Sequence, residues 1–351
     1  MTTFERLKRT FSHREPDRVP IVDIVWPATI ERWEREGMPK GVDWREFFGL
    51  DLVEGIYVDN SPRYETQILE DNDEFQIIKT KWGVTMKNFK HSASVPEFLD
   101  FTITSREKWQ EAKKRMTPSM DRVDWKSLEK NYKIWRKEGR WIRAYFWFGF
   151  DAAHAWMTGT ERFLIWLIED PELCIDIFNT FLEIDLIIFE KIWEKGYHFD
   201  SIQWPDDMGF KGKQFFSVDM YRELLKPFHK KAVEWAHSKG IFAELHSCGN
   251  VNPFIPEFID IGIDSLNPLE VKAGMDPIKI KKMYGDKLTL HGGTNALNWG
   301  KDIIIEEIKQ VISILKEKGG YIFSSDHSIP SDVGVEQMKK IVNTIKEIGA
   351  Y

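Results

Sequence analysis

Disulfides are almost excluded at the outset, because the 351 residues include only two cysteines, Cys174 and Cys248, and no covalent framework can be built from them. Positive charge is not in excess: 49 Lys and Arg stand against 56 Asp and Glu, a formal net charge of −7. That balance gives nucleic acid or an anionic membrane surface no electrostatic reason to bind. Long apolar runs are missing too, since even the stretch Leu186 to Phe189 is bounded by Asp185 and Glu190, too short to span a bilayer. The start, Met1-Thr2-Thr3-Phe4-Glu5-Arg6, enters a charged amphipathic segment without the apolar region of a signal peptide, so a cytoplasmic location is expected. No internal repeat, low-complexity tract or linker divides the chain, and residues 1–351 read as one domain. Aromatic residues are abundant, with 15 Trp and 24 Phe, more than a core of this size needs. Part of that surface is available to line a pocket, although core filling is the default for any single Trp.

Short runs of β-branched and aromatic residues alternate with longer stretches of 3.6-residue periodicity, the pattern of βα units around a parallel sheet. Eight strands are expected: Arg18 to Trp26, Leu52 to Val58, Trp141 to Phe148, Asp200 to Trp204, Ile241 to Ser247, Ile263 to Asn267, Lys287 to His291 and Tyr321 to Ser325. Helices are expected from Asp170-Pro171-Glu172 to Gly196, from Ser217 to Gly240, and from Asp302 to Lys318 before Gly319-Gly320, each bounded by cap, proline or glycine signals. No Gly-rich phosphate turn follows the first strand, so an α/β closed (β/α)8 TIM barrel fits better than an open doubly wound sheet. Residues 63–98 break the alternation with a period of two and no helix, which predicts an antiparallel hairpin inserted after the second strand.

A TIM barrel builds its site at the C-terminal ends of its strands, so polar residues there carry the most weight. On the fifth strand a two-residue period puts Glu244, His246 and Cys248 on one face. An imidazole and a thiolate two positions apart can share a zinc ion, and His327 at the end of the eighth strand is the expected third ligand. The bland alternative is a hydrogen-bonding core histidine and a small buried thiol. Cys174, inside an apolar helix, is structural. Of Asp206-Asp207, one is expected to cap the following turn and the other, Asp207, to contact substrate or a proton. Glu244 is expected as a fourth ligand or as the partner that orients His246. His291, His154 and Asn295 are well placed but ambiguous.

Together these residues resemble the uroporphyrinogen decarboxylase superfamily across nearly the whole length. The landmarks are Arg18-Val19-Pro20, Thr158-Gly159 through Glu169-Asp170-Pro171-Glu172, Asp206-Asp207-Met208-Gly209, His246-Ser247-Cys248-Gly249-Asn250, Gly262-Ile263-Asp264-Ser265-Leu266-Asn267-Pro268, Tyr284-Gly285-Asp286 and Asp326-His327-Ser328-Ile329-Pro330. Porphyrinogen decarboxylases carry an Arg-rich stretch after the first strand for their polycarboxylate substrate. Here Val25-Trp26-Pro27-Ala28-Thr29-Ile30 contains no Arg, and that function is rejected. The resemblance then implies the cobamide-dependent methyltransferases of this superfamily, which bind zinc through a His-x-Cys on the fifth strand and a ligand on the eighth. His327 stands where thiol-methylating members have Cys, which suits an oxygen donor better than a thiol.

The resulting expectation is a zinc-dependent O-demethylase that passes a methyl group from a methoxylated aromatic substrate to the corrinoid (cobalamin) of a partner protein, with Trp26, Trp147, Trp156 and Trp204 lining the arene pocket. His154 and Asn295 complete the substrate contacts, and Asp207, Glu244 and His291 the catalytic set. An exposed apolar surface is expected where the corrinoid protein approaches, and the chain is compatible with a homodimer. Transfer from methyl-corrinoid to a thiol or a pterin, decarboxylation of a small acid, and a non-catalytic corrinoid-protein partner are the rival readings.

Overall fold

A computed structural model describes residues 1–91 and 95–351. The strands, in chain order, are β1 (Val53–Tyr57), β2 (Gln67–Asp71), β3 (Phe75–Lys79), β4 (Val84–Phe89), β5 (Glu97–Phe101), β6 (Trp141–Tyr145), β7 (Ser201–Pro205), β8 (Gly209–Phe210), β9 (Lys213–Gln214), β10 (Phe242–His246), β11 (Ser265–Asn267), β12 (Thr289–His291) and β13 (Tyr321–Ile322). Seven of them form one curled sheet in the order β1-β6-β7-β10-β11-β12-β13, with every neighbouring pair parallel. Both faces are covered, as a parallel sheet requires. Ile142, Ala144, Ile202, Trp204, Ala243 and Leu245 point to the helical layer and are fully buried. Arg143, Gln203 and Glu244 alternate with them and are buried on the inner side.

The helices follow their sequence signals. Pro171–Glu194 opens with Asp170 accepting the Leu173 N–H at 3.3 Å, has Pro at its start, and ends just before Gly196, which takes φ 88°. The expected helix from Ser217 to Gly240 is divided by a wider turn at Tyr221–Leu225 and then runs as Lys226–Ser238. Among the described residues no helix is long and apolar enough to cross a membrane.

Two expectations change. The segment from Arg18 to Trp26 is not a regular strand: it makes isolated parallel bridges, Ile21 with Phe323 and Val25 with Ile329. The physical reason is a side chain taking a backbone's place. Asp51 accepts the Ile21 N–H on its carboxylate at 2.8 Å, and the Asp51 N–H donates to the Ile21 carbonyl at 2.9 Å. The segment therefore lies between the two ends of the sheet, bonded toward β1 on one side and to β13 on the other.

The second change concerns the insertion. Where a hairpin ending at Phe98 was expected, β2 to β5 form a four-stranded antiparallel sheet in that order, running on to Phe101. One side of it faces the open end of the parallel sheet, where Ile78, Thr80, Trp82 and Met86 wall a cavity.

Candidate metal centre and aromatic cavity

The cavity measures about 870 Å³ and is bounded by residues at the C-terminal ends of the parallel strands, a size that suits a small molecule. Trp82, Trp147 and Trp156 form its aromatic wall. Trp147 and Trp156 meet edge to face with centroids 5.7 Å apart. Trp147 is anchored by its backbone: its N–H donates to Asp185 at 2.7 Å, and its carbonyl accepts from Asn60 at 2.8 Å. Burial pushes the Asp185 carboxyl up to about 8, which the donors from Trp147 and Asn60 only partly offset.

At one side of this cavity the loops after β7 and β10 are zipped together. The Asp206 N–H donates to the His246 carbonyl at 2.7 Å, the Met208 N–H to Ser247 Oγ at 3.1 Å, and the Asn250 N–H to the Phe210 carbonyl at 3.2 Å. Gly249 adopts φ 81°, and a Cβ there would collide with the backbone of Gly209 and Phe210, so only glycine allows the two loops this approach. The approach brings Asp207 beside Cys248, whose N–H donates to Asp207 Oδ1 at 2.7 Å.

A donor cluster results. One ligand atom from each of Asp207, His246 and Cys248 lies within 4.8 Å of the others. His246 Nε2 is 3.4 Å from Cys248 Sγ and 3.8 Å from Asp207 Oδ1. Ligands of a tetrahedral zinc with bonds of about 2.0–2.3 Å stand roughly 3.3–3.8 Å apart, so the spacing and the nitrogen, sulfur and oxygen donors fit zinc. Asn267 Oδ1 lies 2.6 Å from His246 Nδ1, which holds the proton there and leaves Nε2 free to bind. Burial, and then the Asp207 carboxylate, push the Cys248 thiol well above its ordinary range. Asp151 is likewise raised by burial, then by Asp207 and Asp206. The site thus concentrates acidic groups that a divalent cation would stabilise in their ionised forms.

The neighbouring carboxylate behaves differently. Asp206 is fully buried, with its side chain 2.8 Å from His229 Nε2 and accepting the Asp151 N–H at 2.8 Å. It ties the loop after β6 to the helix Lys226–Ser238 and belongs to the scaffold.

The Glu244 carboxylate bonds to Arg143 and not to His246. It forms a buried bidentate pair with Arg143, at 2.9 Å to Nε and 2.7 Å to Nη2, so the orienting part expected of it belongs to Asn267. His291 lines the cavity nearby and donates from Nε2 to the Val22 carbonyl at 3.0 Å. Burial, with Arg143 adding repulsion, lowers its pKa to about 3, so it is a neutral ring.

The remaining expected residues divide. Trp147 and Trp156 line the cavity. Trp204 does not: it points out of the sheet, fully buried against Phe148 and His229, because it is out of phase with Gln203 and Pro205, which face inward. Asn295 caps the turn Ala296–Asn298 by accepting the Leu297 N–H at 3.0 Å. His154 is buried beside Phe150, its Nδ1 2.9 Å from Thr160 Oγ1. Trp26 is not among the lining residues of the cavity; it stacks on His327 with centroids 5.7 Å apart. His327 lines the cavity but stands outside the donor cluster. The strand before it stops at Ile322, and Asp326 turns into the protein to accept the Ala296 N–H at 2.7 Å, which carries His327 away from the strand end.

Three cavity residues were not singled out by the sequence: Arg143, Asn267 and Asp23. Arg143 and Asp23 are each a lone charge inside an apolar run, which is the available signal. The half-buried Asp23 accepts from Ser325 N–H at 2.7 Å, Ser325 Oγ at 2.9 Å and the Ile24 N–H at 2.8 Å. Burial outweighs those donors and pushes its carboxyl up to about 7.

Residues 150–348 match the family model described as Uroporphyrinogen decarboxylase (URO-D). Among solved structures the chain is similar to a methyltransferase from Methanosarcina mazei, with a TM-score of 0.70 and 18% identity over 100% of both chains. No curated protein matches it.

Proposed function

The chain belongs to the uroporphyrinogen decarboxylase family, and from that premise we propose that it is a zinc-dependent methyltransferase that removes the methyl group of a methoxylated arene and passes it to a corrinoid on a separate protein. The observation that carries this reading is the cluster of Asp207, His246 and Cys248 beside a cavity walled by Trp82, Trp147 and Trp156. One thiolate among nitrogen and oxygen donors makes a harder Lewis acid than a thiolate-rich site, which favours an ether oxygen over a thiol as its substrate.

In this reading His246, Cys248 and Asp207 hold the zinc. Bound there, it would polarise the ether oxygen and stabilise the departing phenolate. Asn267 fixes the His246 ring. The three tryptophans orient the arene face-on or edge-on and exclude water from the breaking bond. His327, on the cavity wall above Trp26, contacts the substrate and is not required as a ligand. The methyl leaves through the open cavity mouth, and Ile24 and Tyr57, 60% and 64% exposed on the side of the rim away from the donor cluster, offer an apolar contact on which a corrinoid protein would seat.

The test is incubation of the zinc-loaded protein with a reduced corrinoid protein and a methoxyphenol. Loss of Co(I) absorbance with release of the free phenol is expected. Silence with every aryl methyl ether, together with methylation of a thiol or pterin, would replace this reading by transfer in the opposite direction.

A further inference from the structure

The cavity has a second end. Counting around the parallel strands from β10, which carries His246, the Ile21 segment is four places away in either direction, through β7, β6 and β1 or through β11, β12 and β13. Asp23 therefore stands across the cavity from the donor cluster, and it is one of the lining residues.

The charges between these two ends are already matched. Among the described residues that line the cavity, the permanent cations are Arg143 and Lys81. Arg143 is doubly bonded to Glu244, and Lys81 Nζ lies 3.0 Å from Asp59 Oδ1. Each cation thus already has a carboxylate partner, which an incoming anion would have to displace or share, and a carboxylate taken from water without a partner is strongly disfavoured. Asp23, with both oxygens engaged by Ser325 and Ile24, adds a further acceptor and no donor when ionised.

We propose that Asp23 selects the substrate: it accepts a hydrogen bond from a phenolic hydroxyl at the end of the arene remote from the methoxy group, so that the cavity takes uncharged methoxyphenols and rejects methoxybenzoates. The selection rests on the aryl-ether reading above and narrows it to one substrate class. A phenol offers Asp23 a donor, whereas a benzoate brings a second carboxylate against it, and a buried like-charge contact is penalised.

The experiment is a tryptophan-fluorescence titration of the zinc-loaded full chain with 4-methoxyphenol and with 4-methoxybenzoate, at a pH well above about 7 so that the Asp23 carboxyl is ionised, repeated with Asp23→Asn. In the unaltered protein 4-methoxyphenol is expected to bind at least about tenfold more tightly. Asp23→Asn is expected to raise the affinity for 4-methoxybenzoate by about tenfold, because the repelling charge is gone. The comparison of the two ligands in the unaltered protein needs no variant to fold. Equal or tighter binding of the benzoate, or a benzoate affinity indifferent to Asp23→Asn, overturns the selection. Equal methyl transfer from both compounds also overturns it while leaving the aryl-ether reading standing. Failure of both compounds to bind or react overturns the two together.

Discussion

The two ends of the cavity use the same kind of group for different ends. Beside β10, Asp207 is drawn against an imidazole and a thiol by two loops whose glycines let their backbones touch. Beside the Ile21 segment, Asp23 is held by one serine and two backbone N–H groups, and among the described residues it belongs to no cluster of metal-ligating side chains. A carboxylate becomes a candidate metal ligand through what the backbone packs next to it, and a candidate substrate acceptor when it is left alone at the cavity wall.

The comparison breaks most readily at Cys248. Replacing Cys248 by Ser is expected to remove stoichiometric zinc and to lower methyl transfer by about 10³-fold or more, since the ligand itself is lost; elemental analysis and the Co(I) assay check it. Asn267→Ala keeps all three ligands but frees the imidazole to rotate, and a loss of about 10- to 100-fold in zinc affinity is expected in a chelator competition. His327→Ala should leave zinc content unchanged and raise KM by a few-fold, the effect of a lost substrate contact worth about 1 kcal/mol. Zinc loss in that variant would restore His327 to the ligand set.

The smallest effect concerns the aromatic wall. The Asp185 carboxyl, raised by burial to about 8, keeps its proton in the folded chain at pH values where the unfolded chain has released it. Its share of the stability is complete below the unfolded value near 3.8 and is lost as pH rises toward 8. Asp185→Asn should flatten the fall of Tm between pH 4 and about 8, and an unchanged slope would mean that another group sets it.

Much of the architecture was legible because periodicity and punctuation are local. Asp170-Pro171 and Gly196 bound a helix in sequence as they do in the structure, and the runs at Trp141, Ser201 and Phe242 are strands in both. The segment at Arg18 was not, since what makes it irregular is the Asp51 side chain thirty residues away. The four strands between Gln67 and Phe101 have mostly exposed or half-buried residues, so their alternation does not show how many turns divide them.

The site was legible to the same depth. His246 and Cys248 meet because a period of two is enough to place them together. Asp207 joining them depends on Gly249 lying against Gly209, a contact between loops with no trace in either loop alone. Trp204 fell to the wrong face by one position, and His327 lies on the cavity wall outside the donor cluster, past a strand that ends at Ile322.

The central claim is that a zinc ion is held by one sulfur with nitrogen and oxygen partners at the mouth of the curled sheet. X-ray absorption at the zinc edge of the purified protein tests it most directly. One zinc per chain with a single sulfur neighbour is expected, with disappearance of the sulfur signal in any zinc retained by Cys248→Ser. Zinc-free protein after zinc-replete expression, or a zinc shell without sulfur, would contradict it.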